Sequence, residues 1–177
     1  MQSHERCSVV EVMGRNAGHL ALSVGIATGA TIILVPEIKY DIEQDIIERI
    51  RAARLAGRNN FTVIVAEGSE VSARQITKQI EDATGIETRL TALGHIQRGG
   101  SPHVRDRMVA TCMGYKAVLL LATGHKSRIV AMRGDKYIDL DINEALNLTK
   151  DFDFEMYKAF SALTFLDKSS LLQLNKA

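Results

Sequence analysis

Short, nearly unbroken apolar runs alternate along this chain with longer segments whose apolar residues recur every three or four positions. The runs at 7–13, 31–37, 61–68 and 87–95 are short and mostly rich in β-branched residues, which predicts strands. Between them lie helical patterns. In 16–29, Leu20, Val24 and Ala27 mark an apolar stripe and Gly29 a stop. Asp41 with Gln44 forms a capping-box pattern for a helix whose inner face is Ile42, Ile46, Ile50 and Ala53, ended by Gly57. Residues 71–84 predict a third helix, closed by Gly85. Ser101 as N-cap and Pro102 at the first position predict a fourth, running to Gly124 with Val104, Met108, Cys112, Tyr115 and Leu119 on one side. Two strand-like runs flank Gly134-Asp135-Lys136, and helices are expected over 143–150 and 154–166. Strands alternating with helices predict an α/β, Rossmann-like fold: a mostly parallel sheet with helices on both faces.

Composition narrows the classes. At 177 residues, 46% hydrophobic and 24% charged, the chain can bury a real core. A net charge of +1 gives no electrostatic case for nucleic acid or an anionic membrane. Two distant cysteines, Cys7 and Cys112, offer no disulfide framework or metal spacing and fit a reduced, cytoplasmic setting. No apolar run reaches the length of a membrane span, and the first residues lack the apolar core of a secretory leader.

Ligands of parallel sheets bind beyond the carboxyl ends of the strands. Those exits read Met13-Gly14-Arg15, Pro36-Glu37, Glu67-Gly68 and Gly94-His95 followed by Arg98-Gly99-Gly100. Arg15, Glu67, His95 and Arg98 are therefore expected to converge, with Arg6 and Arg89 near strand starts. Guanidinium forks, glycines and a helix start suit a phosphate. Glu67 would be repelled by phosphate and suits hydroxyl groups, so the set points to a phosphorylated sugar or polyol. Other residues read more plainly. His19, His103 and His125 are expected at the surface, and Asp139 and Asp141 on one solvated strand face.

The segments HERCSVVEVMGRNAGHLAL, VPE, VAEG, ETRLTALGHIQRGGSP and Asp106-Arg107 together resemble the later half of bacterial-type ATP-dependent 6-phosphofructokinase, over roughly residues 3–149. That resemblance implies phosphoryl transfer from ATP to fructose 6-phosphate, with Mg2+ and ATP as cofactors of the complete enzyme. It implies that His95 and Arg98 hold the sugar 6-phosphate, joined by Arg6 and Arg89 from a neighbouring subunit of a homo-oligomer, a tetramer in the family. Met13, Gly14 and Glu67 would hold the sugar, and Arg15 would offset charge at the transferred phosphoryl. Glu37 and Arg58 are implied for an effector site, with Ala56 standing where a basic residue is common. The family's allosteric switch resembles an exchange of the adjacent, oppositely charged Glu5 and Arg6. The family's Gly-Gly-Asp-Gly phosphate loop and its Thr-Ile-Asp-Asn-Asp segment, with the catalytic Asp, have no counterpart here. The chain is thus expected to be a truncated product or fragment. Residues 1–96 would form the substrate-binding domain, 97–147 a segment of the nucleotide domain with apolar surface left exposed, and 148–177 a helical return. The competing readings are a fragment of the pyrophosphate-dependent enzyme and a non-catalytic module that binds sugar phosphates or assembles with another chain.

Overall fold

The computed structural model describes residues 5–164. The chain forms two compact units: one runs to Arg98 and resumes at Phe152, and the other is Gly99–Asp151. The sequence-based divisions at 96 and 147 lie two and four residues from these. Residues 165–177, including the expected end of the last helix, lie outside the described residues.

The first unit is built on strands β1 (Arg6–Val12), β2 (Ile32–Leu34), β3 (Asn60–Ala66) and β4 (Thr88–Ala92), all parallel, in the order β2-β3-β1-β4. Alternation along β3 divides the core. Phe61, Val63 and Val65 face one side, and Ile64 and Ala66 the other. The first side packs against a π-helical segment Ile42–Ile47, the helix α2 that continues it (Glu48–Leu55), and α3 (Ala73–Thr84), through Ile46, Ile47, Ile50, Ile76 and Ile80. The second side is covered by α1 (His19–Ala27) through Ala21 and Leu22. The returning chain adds Phe152 and Phe160 to that side, and the Tyr157 hydroxyl donates to Ile33 O at 3.4 Å. Both faces are closed, which accounts for the near-continuous apolar strands.

Local chemistry sets the helix starts. Asp41 accepts from Gln44 N at 2.8 Å as expected, but the reciprocal bond, Asp41 N to a side chain, goes to Asp45 rather than Gln44. Ser72 caps α3 with Gln75 in a capping box. The stripe expected for α1 is corrected. Ala21, Leu22 and Gly25 are buried, whereas Leu20 and Ala27 are exposed. Gly18 and Gly25 cause this, because a methyl group on either would collide with Val35 or Ile33, so the helix seats on its glycines.

In the second unit, a helix α4 (Val104–Ala122) accompanies an antiparallel hairpin of β5 (Arg128–Arg133) and β6 (Lys136–Asp141), then a short α5 (Ile142–Leu146). The helix does not start at Ser101-Pro102. His103 is its N-cap and exchanges backbone-to-side-chain bonds with Asp106, so this pair closes the first turn two residues later. Asp139 is not simply solvated. It sits between Lys116 Nζ at 2.9 Å and Arg128 Nη2 at 2.6 Å, and these cations hold its carboxyl below the usual range. Asp141 instead caps α5 through Asn143 N. Val104, Met108, Tyr115, Val118 and Leu121 of α4 are exposed, the apolar surface expected for this segment.

The two thiols differ in accessibility: Cys7 is buried and Cys112 exposed. Burial pushes the Cys7 thiol up to about 12. At about pH 8 a maleimide is expected to modify one thiol per native chain, Cys112, and to reach Cys7 only on unfolding. Rapid loss of both thiols in the native protein would contradict this packing.

Candidate functional site

The exits of β1 and β3 and the turn after β4 meet at the carboxyl edge of the sheet. A cleft of about 380 Å³ opens there, lined by Met13, Gly14, Arg15, Leu20, Glu67, Gln97 and Arg98. A larger hollow of about 590 Å³ in the second unit is walled mainly by apolar and aromatic groups, with Lys116 as its one charged residue. The smaller cleft carries the convergent charge.

Two side chains tie its floor. Glu67 Oε1 accepts from Arg15 N at 2.6 Å, and Gln97 Oε1 accepts from Met13 N at 2.8 Å. Arg15 has φ +55, a left-handed conformation uncommon for a residue with a side chain and held here by that carboxylate. Gly68 lies directly under this turn, where a Cβ would fall on the Arg15 carbonyl. The second oxygen of Glu67 and the guanidiniums of Arg15 and Arg98 have no hydrogen-bonding or ionic partner among the described residues. The cleft thus presents two cationic forks and one carboxylate oxygen, a set able to grip an anionic group and accept a hydroxyl.

Of the expected site residues, Met13, Gly14, Arg15, Glu67 and Arg98 come together here. His95 shares the 3-10 turn Gly94–Arg98 but is exposed and does not line the cleft. Gln97, from the same turn, was missed. An uncharged amide among His, Arg and glycines gives a weak signal, and its role is to fix the Met13 backbone. Leu20 was also missed, because helical periodicity assigned it to the core.

Arg6 and Arg89 lie at the opposite, amino edge of the sheet, the first on β1 and the second on β4. Both meet Glu87. Its Oε1 is 2.8 Å from Arg89 Nε and 2.6 Å from Arg89 Nη2, and its Oε2 is 3.3 Å from Arg6 Nε. Arg89 first, then Arg6, holds the Glu87 carboxyl below the ordinary range. The Arg6 Nε is buried without a well-aligned hydrogen bond, so its pairing with Glu87 is electrostatic. Glu5 points elsewhere, to Arg54 at 2.7 Å. Glu37 and Arg58 are not joined by any contact among the described residues. The Glu37 carboxylate accepts from Gly18 N at 2.8 Å, while Arg58 is exposed beyond α2.

Among the described residues no group of three or more His, Cys, Asp or Glu could hold a metal ion, and no helix is long and apolar enough to cross a membrane. The family model for phosphofructokinase matches residues 1–121. An ATP-dependent 6-phosphofructokinase of Clostridium botulinum is 49% identical over 162 residues, covering 92% of this chain and 50% of that protein. ATP-dependent 6-phosphofructokinase 1 of Clostridium perfringens is 47% identical over 161 residues, covering 91% and 50%. The chain therefore spans about half the length of these curated relatives. Among solved structures, phosphofructokinase of Saccharomyces cerevisiae aligns with a TM-score of 0.75 at 36% identity, covering 81% of this chain and 21% of that one. A pyrophosphate-dependent phosphofructokinase of Marinobacter aquaeolei aligns equally well, TM-score 0.75, at 22% identity over 87% of this chain and 43% of its own, a likeness of fold. With a family match over most of its length and close relatives in two clostridia, this chain belongs to the phosphofructokinase family.

Proposed function

We propose that this chain supplies the sugar-phosphate-binding half of an ATP-dependent 6-phosphofructokinase, an enzyme of glycolysis in the cytoplasm. The observation that carries the reading is the cleft itself: the guanidiniums of Arg15 and Arg98, without partners among the described residues, beside the Glu67 carboxylate with one oxygen likewise unpartnered among them. Arg98 grips the 6-phosphate of fructose 6-phosphate. Glu67 accepts from a sugar hydroxyl, and the Met13-Gly14 backbone forms the floor. Arg15 stands where charge grows on the transferred phosphoryl group, which is the stabilisation such transfer requires.

The residues present do not fit the cofactors. No metal cluster is formed among the described residues, and the chain carries no counterpart of the family's phosphate loop or catalytic Asp segment. Mg2+ and ATP accordingly belong to the complete enzyme. Arg6 and Arg89 lie away from the cleft, toward the amino ends of β1 and β4, so they serve a ligand held by another copy in a homo-oligomer. His95, exposed on the same 3-10 turn as Arg98, is assigned with it to the phosphate. The Glu37 and Arg58 effector assignment gains no support from their separate environments.

Calorimetry with fructose 6-phosphate tests the cleft. Arg98→Ala is expected to weaken binding by about ten- to a hundredfold, the loss of a charge-assisted contact worth ~1.5–3 kcal/mol. Unchanged affinity would remove the cleft from consideration. The purified chain should show no fructose 6-phosphate phosphorylation with MgATP, since it carries no counterpart of the family's catalytic Asp segment or phosphate loop; measurable turnover refutes that. Gly68→Ala tests the floor. The added methyl pushes the Arg15 carbonyl away, and a stability loss of about 1–3 kcal/mol in urea is expected together with weaker sugar-phosphate binding. Wild-type values for both would show that the turn accommodates the methyl.

A further inference from the structure

The arginine pair at the amino edge of the sheet already holds an anion of its own. Glu87 spreads its two oxygens across Arg89 and Arg6. Arg89 uses its Nε and Nη2 edge, and Arg6 its Nε. The nearest other acid in sequence, Glu5, is held away by Arg54, so Glu87 is the only acid paired with either arginine among the described residues. All three side chains are partly open to solvent, at 37% for Arg6, 47% for Glu87 and 67% for Arg89, so a ligand can approach the cluster, while the Arg6 Nε itself is covered.

We infer that Glu87 is a specificity-determining residue of this site, a tethered competitor anion that holds Arg6 and Arg89 until a doubly charged phosphoryl group displaces it. The inference rests on the reading of Arg6 and Arg89 as phosphate ligands. A free carboxylate carries the same single charge as Glu87 but lacks the tether, so it competes poorly with a group already in place. A phosphate dianion brings twice the charge and several acceptor oxygens, enough for both guanidinium forks. The incomplete hydrogen bonding of the Arg6 Nε leaves one donor that Glu87 attracts without satisfying, and a phosphate oxygen can satisfy it. The empty site thereby keeps one net positive charge instead of two, and a monoanion gains too little there to displace Glu87.

The test follows the arginine Nε–H signals of the full 177-residue chain by NMR, titrating inorganic phosphate and acetate separately at constant ionic strength. In the unaltered protein, phosphate should shift the Arg6 and Arg89 signals and acetate should leave them in place. Glu87→Gln removes one nearby negative charge. It should tighten phosphate binding about tenfold and admit acetate. Arg89→Gln should abolish the phosphate response. Backbone spectra confirm that each variant is folded, which the exposure of both side chains favours. If Glu87→Gln binds phosphate no more tightly while Arg89→Gln loses it, Glu87 is not a competitor and the inference fails, with the phosphate reading intact. If phosphate moves neither arginine in the unaltered protein or in Glu87→Gln, the phosphate reading itself fails.

Discussion

A parallel sheet buried on both faces leaves its loops only two places to go, and this decides where chemistry can be built. Strands β1 to β4 run the same way, so every connection must cross from the carboxyl edge back to the amino edge under cover of a helix or loop. Polar side chains excluded from the two cores collect at those edges. The carboxyl edge gathers Arg15, Glu67, Gln97 and Arg98, and the amino edge gathers Arg6, Glu87 and Arg89. The hydrogen bond from Arg15 N to Glu67 Oε1 joins the exit of β1 to that of β3, so the cleft inherits its shape from the register of two adjacent strands.

The sheet and its order of elements were legible because β-branched strands and amphipathic helices follow different periods, and both faces of the sheet demand apolar residues. What was hidden depended on geometry between elements. The inward face of α1 follows from two glycines that admit Val35 and Ile33, and no periodicity reports that. The start of α4 moved from Ser101 to His103 because a histidine ring nitrogen can accept the bond usually assigned to a hydroxyl. Asp139 read as solvated since its cations, Lys116 and Arg128, come from a different helix and the facing strand.

The candidate site divides in the same manner. Met13, Gly14, Arg15, Glu67 and Arg98 were recognisable from their place at strand ends. Gln97 and Glu87 were not, because each acts on a neighbour rather than presenting unusual chemistry of its own. Gln97 fixes a backbone amide, and Glu87 pairs with two arginines. Residues that position others are hard to single out in one sequence, since an amide or a carboxylate on a surface is the commonest of observations. A structure identifies them by what they touch.

Strand β1 also sets a length. From Arg6 to Val12 it rises about 3.3 Å per residue, about 20 Å in all, before the chain turns at Gly14. A six-carbon sugar phosphate is far shorter than that span. One molecule cannot bridge Arg6 and Arg15 of the same chain, so this strand works as a ruler that keeps the two arginine clusters apart. Under the proposed function, a single sugar phosphate touching both kinds of cluster has to lie between two copies of the chain.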